Sequence, residues 1–70
     1  MPTIRDLLAD EAALRMLVAT TKPRVLARRI NGSMAGSLDL VRELIDRIML
    51  LYVELWGLAY AEEFRQELKF

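Results

Sequence analysis

The stretch LDLVRELIDRIMLLYVELWGLAYAEEFRQEL, residues 38–68, decides how the rest of the chain must be arranged. Placed at 100° per residue, Leu38, Leu40, Val41, Leu44, Ile45, Ile48 and Met49 form one stripe, and Asp39, Arg42, Glu43, Asp46 and Arg47 take the other side. That is an ordinary amphipathic helix. From Leu50 to Tyr60 the polar side shrinks to Glu54 and Gly57, and a helix apolar nearly all round must be covered nearly all round. Beyond it, Glu62, Glu63 and Gln66 take over the earlier apolar stripe, while Phe64 and Leu68 emerge on the opposite side near Leu50. Only Gly57 interrupts the helical pattern, either tolerated at a cost of about 1 kcal/mol relative to alanine or marking a kink. The spacing therefore predicts one helix over residues 38–68, roughly 45 Å long.

Working outward from that helix, the N-terminal half supplies two shorter ones. Thr3 with Asp6 has the spacing of a capped helix start, and apolar periodicity carries a helix over about residues 4–19. Thr20-Thr21-Lys22-Pro23 breaks it, because proline disfavours the helical conformation in the residue before it and suits the first turn of a new helix. Thr21 is the expected cap of a helix over residues 22–30, which Asn31-Gly32 closes. Residues 31–37 read as a loop, with Ser37 capping the long helix.

The expected fold is all-α, a single domain over residues 1–70 with three helices, at about 4–19, 22–30 and 38–68. Helices one and two laid end to end reach roughly 38 Å, enough for one side of the third. A second copy is the simplest cover for the other side, in a helical-bundle homodimer or higher oligomer. Val41, Ile48 and Leu55, with Leu44, Leu51 and Leu58, also fit a short coiled-coil seam. The expected contact residues are Leu51, Tyr52, Leu55, Trp56, Leu58, Phe64 and Leu68.

Composition points the same way. A chain of 70 residues buries only about 60% of its unfolded surface and is marginal as a monomer. It has neither cysteine nor histidine, which removes disulfides, thiolate nucleophiles, imidazole bases and the usual zinc ligands. Oligomerisation is the stabilising device left. Hydrophobic residues make up 54% of the chain and the mean hydropathy is +0.21, so it should fold rather than stay disordered. The run Ile48–Ala61 falls short of the roughly 20 apolar residues that span a bilayer, so no membrane span is expected. The opening Met1–Asp6 places acid where a signal peptide needs an apolar core, and a cytoplasmic location is expected.

Ten basic residues balance ten acidic ones, so only a local cluster can attract nucleic acid. Lys22, Arg24, Arg28 and Arg29 form such a cluster on the second helix. The segment from Val25 to Ile30, followed by a turn and Leu40–Ile45, resembles a helix-turn-helix, although the connection is long and Asp39 and Glu43 would repel phosphate. That makes a dimeric nucleic-acid-binding regulator the alternative reading.

Glu11 and Arg15 are spaced to pair on the first helix, and Arg42 with Asp46 and Glu43 with Arg47 on the third. The segment Val41–Ile48 resembles the first helix of helical chorismate mutases, but Tyr52, Leu55 and Trp56 stand where cations would grip a dicarboxylate, so no activity is carried over. Glu62, Glu63 and Glu67 have the look of a solvated helix end rather than a metal site. No catalytic residue and no cofactor is expected. The function expected is a non-enzymatic self-association or protein-interaction module, with itself or another helical protein as partner. A designed or selected chain without physiological role is a further alternative.

Overall fold

The computed structural model describes residues 3–32 and 38–69, and among these every regular element is an α-helix. There are five: α1 (Ile4–Ala9), α2 (Glu11–Thr20), α3 (Pro23–Gly32), α4 (Leu38–Leu55) and α5 (Leu58–Glu67). The all-α expectation holds, but two of the three expected helices are each broken in two. Of the expected 31–37 loop, Asn31 and Gly32 instead end α3, and the rest, with the Ser37 cap, lies outside the described residues.

The break between α1 and α2 lies at Asp10, whose extended backbone ends one helix while its side chain caps the next. The Asp10 amide donates to the Asp6 carbonyl at 3.1 Å, and the Asp10 carboxylate accepts from the Ala13 amide at 3.0 Å. An aspartate favours such an N-cap over a helix interior because its short side chain competes for local backbone donors. At the chain start the expected cap is present: the Thr3 hydroxyl accepts from the Asp6 amide at 3.2 Å, and the Asp6 carboxylate accepts from the Thr3 amide at 3.1 Å.

The second break, at Gly57, divides the helix expected over 38–68 at the one residue that offered a kink. The amides of Trp56 and Gly57 both donate to the Tyr52 carbonyl at 2.8 Å, which closes α4. Gly57 then adopts φ 113°, a left-handed value that a side chain would strain. The chain reverses, and α5 packs back against both α4 and α3. The physical reason lies in the facing of Phe64. On a straight helix Phe64 would emerge opposite the stripe of Ile48, whereas the turn brings it into the same core, fully buried beside Tyr52. Burying one such ring is worth about 1.5–3 kcal/mol, more than the roughly 1 kcal/mol that a mid-helix glycine already forfeits.

All five helices feed one core. Leu7, Leu14 and Val18 come from α1 and α2, Leu26, Ala27 and Ile30 from α3, Val41, Leu44, Ile45, Ile48, Leu51 and Tyr52 from α4, and Ala61 and Phe64 from α5. No polar or charged residue among those described is buried. The Cα radius of gyration is 10.8 Å, close to the ~11 Å of a compact chain of this length, and the longest extent is 28 Å. The apolar cover expected from a second copy is thus supplied in large part by the chain's own C-terminal helix.

Candidate interaction surface

Among the described residues fourteen form the core, yet several large apolar side chains remain outside it, and they concentrate in the second half of α4 and the first turn of α5, about the elbow between them. Leu50 is 70% exposed, Val53 45%, Trp56 50%, Leu58 63% and Tyr60 38%. Elsewhere among the described residues only Met16, Val25 and Leu38 are comparably exposed. Single exposed leucines are normal on a protein surface, but five large apolar side chains exposed within eleven residues of sequence are more than scattered exceptions.

The elbow is held on one flank. Trp56 stacks on Tyr60 with ring centroids 5.2 Å apart and planes 11° from parallel, and its indole N–H donates to the Val18 carbonyl at 3.2 Å. That contact ties the end of α4 to α2. Beside it, Ala19, Thr20, Thr21 and Lys22 line an open groove with the two rings. On the neighbouring side Arg15 of α2 makes a two-pronged ion pair with Glu54 of α4, at 3.1 and 3.2 Å. Arg15 therefore pairs principally across helices rather than with Glu11 as expected, and the Glu54 carboxylate raises its pKa, by hydrogen bonding first and by charge second.

Of the residues expected to meet a second copy, Leu51, Tyr52 and Phe64 lie in the protomer's own core, and Leu55 and Leu68 pack partly against it. Trp56 and Leu58 are exposed. Tyr52 is the most constrained of the group. Its hydroxyl donates to the Thr21 carbonyl at 2.7 Å, its ring meets Phe64 at 5.6 Å, and burial pushes its pKa up to about 12.

The basic cluster is arranged against α5. Arg24 lies 3.5 Å from Glu63 and Arg28 3.0 Å from Glu67, so the acids that read as a solvated helix end face the arginines that read as a phosphate site. Lys22 and Arg29 lie exposed on the same stretch. Asn31, expected only to close a helix, clips the end of α5. Its side chain donates to the Glu67 carbonyl at 2.9 Å and accepts from the Lys69 amide at 2.9 Å. Of the i,i+4 pairs expected on α4, Glu43 and Arg47 approach to 3.6 Å.

Leu50, Val53 and Tyr60 were absent from the expected contact set. The signal for Leu50 was present, since it shares a helical face with Phe64 and Leu68, but only the break at Gly57 separates those that are buried from those that are not. No protein-family model matches the chain, and no curated protein or solved structure is similar to it at a significant level. Among the described residues no helix is long and apolar enough to cross a membrane.

Proposed function

We propose that the protein is a helical self-association module whose contact surface is the elbow formed by Leu50, Val53 and Leu58. The observation that carries this reading is their exposure, at 70%, 45% and 63%, in a protein with no buried polar residue among those described. The chain sorts polar from apolar strictly in its interior, and three large aliphatic side chains left in water within nine residues of sequence offer apolar surface that association would cover. A second copy is the partner that needs no further assumption, and two-fold self-contact of one patch is the commonest oligomer geometry. Pairing of Arg24 with Glu63 and Arg28 with Glu67 engages two arginines expected to contact phosphate, which favours the protein-contact reading over nucleic acid.

The test is molar mass by light scattering across a concentration series, for the native chain and for Leu50→Glu. The native chain should pass from monomer to dimer as concentration rises. Leu50→Glu should remain monomeric with an unchanged melting temperature, because Leu50 contributes little to the core. A native chain that stays monomeric into the millimolar range would refute the reading.

A further inference from the structure

Gly57 divides a sequence whose helical pattern runs straight through it. If the helix continued across this residue, Leu50, Val53, Gly57, Ala61, Phe64 and Leu68 would follow one another at steps of three or four residues and share a single face. That face lies opposite the stripe of Val41, Leu44 and Ile48. In the folded protomer the face is divided: Ala61 and Phe64 are buried, at 1% and 0% exposure, while Leu50 and Val53 remain outside. The same six residues therefore have two ways of being covered, and the closed protomer completes only half of one.

We infer that α5 exchanges between two copies of this chain, with Gly57 as the hinge. This rests on the self-association reading above and gives it a mechanism. In the exchanged form α4 and α5 run on as one helix. Each copy's α5 sets Phe64 against the partner copy's α4 and its Glu63 and Glu67 against the partner copy's α3, remaking in trans every contact that it makes in cis. The closed and exchanged forms share nearly all their packing, so the balance between them is set by the hinge and by concentration.

Three features of the hinge fit this role. Gly57 holds φ 113°, a conformation that opposes closure for any residue other than glycine. A Cβ built on it meets no heavy atom within 4 Å, so a substitution there changes conformational preference without creating a clash. The turn is also short, with only Trp56 and Gly57 between α4 and α5, and short hinge loops favour exchange over closure.

Gly57→Ala is the decisive variant. Alanine is disfavoured at positive φ and favoured within a helix, which together should shift the hinge by about tenfold per protomer, or about a hundredfold in the dimerisation constant. Exchange is read directly with Arg28→Cys and Glu67→Cys, which replace residues in contact at 3.0 Å in a chain that has no other cysteine. The paired cysteines are joined by a short bismaleimide and the product is run on a denaturing gel. In the dimer fraction of Gly57→Ala the link should join two chains, and in the monomer fraction it should lie within one.

Dimers that carry only intrachain links would overturn exchange and leave surface self-association standing. A folded Gly57→Ala that is monomeric at every concentration would overturn both. Should Gly57→Ala not fold, the native chain and one with three glycines inserted after Gly57 are refolded at millimolar concentration and linked in the same way. The insertion relaxes the hinge and must lower the yield of covalent dimer; equal yields, including none from either chain, overturn exchange.

Discussion

Tyr52 shows most directly how a single side chain serves the fold. It sits where the carbonyl of its own backbone closes α4, its ring packs on Phe64 of α5, and its hydroxyl reaches the Thr21 carbonyl between α2 and α3. Burial raises its pKa from the ordinary 10 to about 12. Because the folded value lies above the unfolded one, the neutral hydroxyl's contribution is fully present below pH 10 and is lost as pH rises towards 12. The native protein should therefore lose on the order of 2 kcal/mol across that window. Tyr52→Phe should show a smaller loss, and denaturant unfolding of both proteins from pH 8 upward would check it. Parallel curves would mean that the hydroxyl is not held in the interior.

At the scale of elements, α5 has the least local claim to its position. Its glycine N-cap makes no side-chain hydrogen bond, and it is held from outside by the Asn31 clip, the two arginine pairs from α3 and the burial of Ala61 and Phe64. The arginine pairs are exposed and each contributes at most about 1 kcal/mol, so packing carries the attachment. Phe64→Ala should cost about 3–5 kcal/mol, a large share of what a domain of this size has. Far-ultraviolet circular dichroism with thermal melting measures it. A melting point within a few degrees of native would show that α5 is not packed on Tyr52. The arrangement of α5 was only partly legible beforehand. The facing of Phe64 and Leu68 showed that the helix needed a second surface, but periodicity counts faces and does not say whether a turn or another chain satisfies them.

At the scale of the whole molecule, the extents of 28 × 26 × 18 Å replace the rod of roughly 45 Å that a continuous helix would impose. Small-angle scattering at low concentration should return a globular particle with a Cα-level radius of gyration near 10.8 Å. A longest dimension above the single-helix length at the lowest concentration would mean that α4 and α5 are already joined. With rising concentration, growth in mass accompanied by elongation is what two long helices side by side would produce. Self-association then becomes the way in which a small core gains the surface it lacks alone.

The helical class, the Thr3 cap, the break before Pro23 and the amphipathic first half of α4 were all written in the local sequence. All of these follow from residues within a turn or two of one another. The same sequence also carried more apolar surface between Leu50 and Leu68 than one chain was expected to cover. Where that surface goes depends on packing between distant parts of the chain. Gly57 can continue a helix at modest cost or leave it at positive φ, and no neighbouring residue chooses between the two. The choice is made by Leu26 and Ile30, distant in sequence, which together with Tyr52 and Phe64 form a buried core once α5 turns back.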